Sequence, residues 1–260
     1  MNKCFIIVIL LALTFVYGCS SSNTQPVSVK ETVVTFVVDC TDSELFESID
    51  QDFRTNLNSF FQNTKLNQMD YGQKLTVKMV PLEESGTVSS KKASIGPANK
   101  RMSKREAAAC RDSRPLLQLI SSELNAYKTL SETNLQSSPI METLLKSFIE
   151  TDAESEREII VVLTDGIEHS AYQNMYKTIP TKEEAIDKLV DKIDPILLQD
   201  ATNRIHQTMP FVIVVLKKSE KANTSDLKQF YSKFFSKLGI QSSDVLFVDN
   251  LGNNIIITEL

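Results

Sequence analysis

Two near-continuous apolar runs that each stop at an aspartate constrain this chain more than any other feature. Val33, Val34, Phe36, Val37 and Val38 lead into Asp39, with Thr41 and Ser43 following; Ile159 to Leu163 lead through Thr164 into Asp165 and Gly166. A run without polar alternation has no solvent-facing side, so each predicts a strand buried on both faces, as in the centre of a parallel sheet. Ligands of open α/β sheets sit beyond the carboxyl ends of the strands, so oxygen-bearing side chains at these tips are candidates for chemistry. Thr41 or Ser43 can equally serve as a cap for the helix that follows. Gly166 permits a tight turn after Asp165.

The rest of the chain alternates helix and strand. Leu45, Ile49, Phe53, Leu57 and Phe60 recur at helical spacing, predicting an amphipathic helix over 43–63 capped by Asp42 or Ser43. Residues 73–81 alternate Leu75, Val77 and Met79 with Thr76 and Lys78, the pattern of a strand nearer the sheet edge. A turn at Glu84-Ser85-Gly86 would return the chain in a short antiparallel strand from Thr87. Residues 91–105 carry six Lys or Arg and no acid, within a basic insertion spanning about 86–110. Such a run reads as a solvated loop, with a phosphate-rich partner or a membrane surface as the functional alternative.

Helices are predicted from near Ser103, after Pro115 with Leu116, Leu119, Ile120, Leu124 and Tyr127 on one face, and after Pro139 with Ile140, Leu144, Leu145 and Phe148 buried. Residues 182–194 are amphipathic through Ile186, Leu189 and Ile193, and Pro195 disturbs or ends that helix. Phe211 to Leu216 is an apolar strand, and Leu227, Phe230, Tyr231, Phe234 and Leu238 stripe the next helix. Val245 to Val248 is a strand ending at Asp249, which Ile255 to Ile257 extend or pair with. This alternation implies an α/β, Rossmann-like domain over residues 31–260. Its sheet is mostly parallel, with helices on both faces and one short antiparallel edge strand.

The first residues differ from everything after them. Lys3 precedes an uncharged apolar run from Phe5 to Val16, and Tyr17-Gly18-Cys19 follows, the layout of a signal peptide over residues 1–18. The run is short for a membrane span. Val16 and the small residue before Cys19 resemble the lipobox of bacterial lipoproteins, although Tyr17 is not the small residue usual there. That resemblance implies cleavage before Cys19, acylation of its thiol, and a mature protein anchored to the cell envelope by lipid. In two-membrane bacteria, Ser20 after the cysteine implies the outer membrane. Residues 19–30 are polar and read as a flexible tether. About 230 residues remain, enough for one sizeable domain.

Lys and Arg number 28 against 33 Asp and Glu, a formal charge of −5, and cleavage would remove only Lys3 among the charged side chains. An acidic balance argues against nucleic acid as a partner. Beyond Cys4 and Cys19 only Cys40 and Cys110 remain; in an oxidising compartment they are a possible disulfide, or two separate buried thiols.

Three separated tips present hard oxygen donors: Asp39 with Thr41 and Ser43, Ser138, and Asp165. Together they resemble the metal-ion-dependent adhesion site of the von Willebrand factor type A (vWA) domain. Asp39 and Ser43 match its first element, with Thr41 where serine is usual. Ser137-Ser138-Pro139 stands where a Gly-Thr-Pro loop is expected, lacking its glycines, and Val161-Val162-Leu163-Thr164-Asp165-Gly166 matches without change. The resemblance covers approximately residues 31–250. It implies Thr41, Ser43 and Ser138 as direct ligands of Mg2+ or Mn2+, Asp39 and Asp165 as outer ligands acting through water, and an open position for an exposed Asp or Glu of a protein partner. The physical sense is that a small hard dication prefers oxygen ligands, and few direct negative charges leave it able to hold an incoming acid.

The expected role is therefore binding and not catalysis. One alternative is a Mg-dependent phosphotransfer enzyme of haloacid dehalogenase type, which would need an aspartate where Thr41 stands. Another is a structural envelope component in which no metal acts. His169 and His206 lack sequence partners, Glu168 is placed either to cap a helix or to shape the rim of the site, and no Ser-His-Asp order or Gly-rich phosphate loop occurs.

Overall fold

β1 (Lys30–Asp39) lies between two parallel neighbours, and every residue from Val33 to Asp39 is buried. The computed structural model describes residues 29–83, 89–133, 135–151, 155–253 and 255. Within them β1, β2 (Gln73–Leu82), β3 (Lys91–Ile95), β4 (Arg157–Thr164), β5 (Phe211–Leu216) and β6 (Val245–Val248) form one sheet in the order β3-β2-β1-β4-β5-β6. All neighbours are parallel except β2 and β3. This is the mixed, mostly parallel α/β architecture expected. The helices are α1 (Ser43–Asn63), α2 (Lys104–Cys110), α3 (Arg114–Ser131), α4 (Ile140–Ile149), α5 (Glu183–Val190), α6 (Pro195–Thr208) and α7 (Thr224–Lys237).

Strand alternation sorts the apolar residues onto two faces. Val34, Phe36 and Val38 of β1 pack with Phe46, Ile49, Phe53 and Phe60 of α1 and with Leu116, Ile120 and Leu124 of α3. The Phe36 and Phe53 rings meet edge to face at 5.2 Å. On the opposite face Val37, Ile160, Val162 and Val214 pack with Leu144 and Phe148 of α4, Ile205 of α6, and Phe230 and Phe234 of α7. Strand order reverses between β1 and β4, so their carboxyl ends diverge to helices on different sides and leave a crevice there.

β2 lies next to the edge strand, in line with its alternating pattern, yet its polar positions are buried: Thr76 is 3% and Lys78 8% exposed. Each has an internal partner, since Thr76 donates to Glu31 at 2.5 Å and Lys78 Nζ donates to the carbonyl of Glu150 at 2.9 Å, at the C-terminal cap of α4. A lysine on a helix-end carbonyl satisfies both groups. The basic run is not all loop: residues 91–95 form the antiparallel edge strand, with Ile95 beside Leu75 and Lys91 beside Met79, four residues later than the expected start at Thr87. Lysines on an exposed edge deter pairing with another sheet. Pro195 begins α6 instead of merely ending α5, because its missing N–H costs nothing at the first helical position, where Asp194 accepts from the Ile196 N–H at 2.8 Å.

Cys40 and Cys110 are free thiols, so the possible disulfide is not formed. Cys40 is fully buried beside Asp39 and donates to the carbonyl of Val38, whereas Cys110 ends α2 with its thiol against Met102. The leader, Cys19, most of the tether, the turn at 84–86, Thr87 and residues 256–257 lie outside the described residues. Among the described residues, no helix is long and apolar enough to cross a membrane.

Candidate metal centre

The ends of β1 and β4 are joined by Asp39. Its Oδ1 accepts from the Thr41 hydroxyl at 2.6 Å and the Thr41 N–H at 3.0 Å, and its Oδ2 accepts from the Thr164 hydroxyl at 2.6 Å. These bonds fold the residues after β1 back over its tip. Asp42 then starts α1 by accepting from the Leu45 N–H at 2.9 Å, as a short acidic side chain does at an N-cap.

The segment 164–169 organises the rest of the site. Gly166, at φ +78°, turns the chain; a Cβ there would come within 2.8 Å of the Leu216 side chain, so both backbone angle and space favour glycine. The buried Tyr231 hydroxyl donates to the Gly166 carbonyl at 3.1 Å, and Asp165 Oδ1 accepts from the Ile167 N–H at 2.9 Å. Glu168, fully buried, accepts from the Met141 N–H at 2.9 Å in the first turn of α4, where a carboxylate suits the positive end of the helix. His169 contributes its main chain: Ser138 N–H donates to the His169 carbonyl at 2.7 Å, and His169 N–H donates back at 3.0 Å. Ser138 is thereby fixed to the exit of β4 despite its distance in sequence.

These connections bring Thr41, Ser138 and Asp165 to one cleft of about 420 Å³, with Asp39 sealed beneath them. Ser43 is not gathered in the same way: it is the half-buried first residue of α1 and is not among the residues lining the cleft. Tyr176 and the segment 217–221 complete the wall, with Lys218 and Lys221 exposed and Lys221 Nζ 5.7 Å from the Tyr176 ring centre. His169 stacks edge-on against Tyr176, and His206 lies elsewhere, in α6.

The electrostatics favour a cation. Burial raises the proton affinity of Asp39 in spite of its three hydrogen bonds. Asp165 is pushed up to about 7, first by burial and then by the charge of Asp39, with the Ile167 N–H and Lys221 opposing. Glu168 is pushed up to about 8, chiefly by burial. A positive charge among these groups would offset the cost of ionising them. The donor set also fits chemically: the Thr41 hydroxyl commits its hydrogen to Asp39, which leaves its oxygen only lone pairs to offer. Among the described residues, no group of three or more His, Cys, Asp or Glu is placed to hold a metal ion by itself, so a metal here depends on hydroxyl ligands.

Sequence reasoning left Thr164, the main chain of His169, Tyr176 and the lysines of 217–221 without roles, and it left the role of Glu168 open. Thr164 had the best signal, since a hydroxyl immediately before the aspartate of a buried strand points to the neighbouring strand tip. No protein-family model matches this chain, and no curated protein matches it.

Proposed function

We propose that the chain is a lipid-anchored protein of the bacterial cell envelope whose vWA-like domain binds a divalent cation and holds an acidic side chain of a protein partner. One observation carries this reading: the strand-order reversal brings Thr41, Ser138 and Asp165 from three separate segments to one cleft over the buried Asp39. Thr41, Ser43 and Ser138 would hold Mg2+ or Mn2+ directly, and Asp39 and Asp165 would hold its waters. The ion would supply an electrophilic oxygen-binding position. Lys218 and Lys221 on the same cleft add to the attraction felt by an entering carboxylate.

The anchor is Cys19, and the sequence around it favours the outer membrane. A phosphotransfer reading would use Asp39 as nucleophile, but that carboxylate is 0% exposed and both oxygens accept from threonine hydroxyls, so no observation favours it. The test is co-purification from solubilised envelopes with Mg2+ or with a chelator. A partner retained with Mg2+, and lost both with chelator and in Asp165→Ala, is the expected result. A partner retained equally in chelator would remove the metal from the interaction.

A further inference from the structure

The end of the sheet opposite the cleft carries a second surface with a different chemistry. β1 starts there, and its ten residues place that end ~30 Å from Asp39 at the usual strand rise. Main-chain bonds knit the segments together: Lys30 N–H donates to Gly72, Gly72 N–H to Ala98, and Gly96 N–H to Cys110. The surface so formed holds Lys100, Arg101, Lys104 and Arg105, all exposed and none in an ion pair among the described residues. Of the nearby acids, Glu106 is engaged in capping Ser103 and Asp112 pairs with Arg114, which leaves Asp70 beside Tyr71 as an exposed carboxylate against four cations.

Large apolar side chains stand exposed on the same end. Met102 is 37%, Tyr71 46% and Val29 48% exposed. The Arg111 guanidinium lies 4.8 Å from the Tyr71 ring centre, so an amphipathic tyrosine is already paired with a cation there. Free cations interleaved with protruding apolar groups match an anionic lipid interface, where the charges meet headgroups and the apolar tips enter the boundary below. A nucleic-acid surface belongs with a basic domain, and this chain has a formal charge of −5.

The course of the chain points the same way. Nine residues, 20–28, separate Cys19 from Val29, where the described chain enters this end of the sheet. Fully extended they span about 35 Å, so a lipid at Cys19 keeps the bilayer within reach but does not set the domain's orientation.

We propose that the loop 96–103, α2 and Tyr71 form a membrane-docking surface for anionic phospholipid, which turns the cleft away from the bilayer toward a partner. The orientation rests on the lipid anchor of the proposed function; attraction of this surface to anionic headgroups does not.

The chain contains no tryptophan, so one introduced tryptophan reports alone. Full-length protein carrying Met102→Trp or Glu220→Trp is mixed with vesicles bearing brominated acyl chains, made of phosphatidylcholine alone or of equal parts phosphatidylcholine and phosphatidylglycerol. Met102→Trp is expected to lose most of its emission on the phosphatidylglycerol vesicles, and to recover it in high salt or when Lys100→Glu and Lys104→Glu are added. Glu220→Trp, on the cleft side, is expected to stay unquenched. Equal quenching at both positions, or quenching at Met102→Trp that ignores both lipid charge and the reversals, would overturn the proposal. So would a spectral response to polyglutamate or duplex DNA with none to vesicles. Flotation on phosphatidylcholine alone, with and without Cys19→Ala, reads the anchor separately, so its failure cannot be mistaken for failure of the docking surface.

Discussion

Asp52→Ala is expected to destabilise the domain by about 3–5 kcal/mol, the cost of leaving one member of a buried ion pair alone. Asp52 in α1 and Lys217 just after β5 meet at 2.5 Å, with side chains only 3% and 9% exposed. Asp52 also accepts from Asn56 Nδ2 at 2.7 Å and from the Leu251 N–H at 3.1 Å, which ties α1 to the chain beyond β6. Removing the carboxylate leaves the Lys217 ammonium with the Asp249 carbonyl at 3.5 Å, and leaves the Leu251 N–H without its acceptor. The paired change Asp52→Leu with Lys217→Met should cost much less, since it removes both charges together. Urea unfolding checks both, read from the midpoint at constant slope. A single-variant loss below about 1 kcal/mol, the range of an exposed pair, would show that the pair does not hold these elements.

Asp165→Asn is expected to have opposite effects with and without metal. Asp165 is pushed up to about 7 in the folded protein, from an ordinary value of 3.8. The folded chain therefore binds the proton more tightly than the unfolded chain. Its stability falls as pH rises from about 4 to about 7 and then levels, because ionisation is easier unfolded. The asparagine keeps an acceptor for the Ile167 N–H and carries no charge. At pH 8 without metal it should be more stable than the parent by on the order of 2–4 kcal/mol, with less difference near pH 4. Added Mg2+ should raise the melting temperature of the parent and not that of Asp165→Asn, since a ligand stabilises only the state that binds it. An apo variant less stable than the parent at pH 8 would contradict the electrostatic picture of the cleft.

Much of this fold was legible because the central strands are monotonous. Phe211–Leu216 and Val245–Val248 have the expected bounds, and the helix 43–63 matches α1 with Asp42 as its cap. Errors arose where a distant partner overrules local pattern. Lys78 gave no sign of burial in the sequence, where its partner at the end of α4 is out of sight, and Lys91 to Ile95 looked like loop until β2 offered an edge. Pro195 reads as a break or as a start according to what precedes it, and Asp194 decides for a start.

The site divides in the same way. Asp39, Thr41 and Asp165 stand at strand tips, so sequence alone marks them. Ser138 was reachable only through the motif, and what places it, the main chain of His169, has no side-chain signature. For Glu168 the sequence offered a helix cap or the rim of the site, and the Met141 N–H decides for the first turn of α4, a helix whose start no residue near 168 encodes.

The most direct test is a Mn2+ titration of the folded domain, followed by loss of the free-ion electron paramagnetic resonance signal. One Mn2+ per chain, displaced by Mg2+, weakened by Thr41→Ala and Ser138→Ala, and abolished by Asp165→Ala while the circular dichroism spectrum is unchanged, is the expected result. An undiminished free-ion signal at millimolar metal over folded protein, or binding that persists in Asp165→Ala, would contradict the cation site.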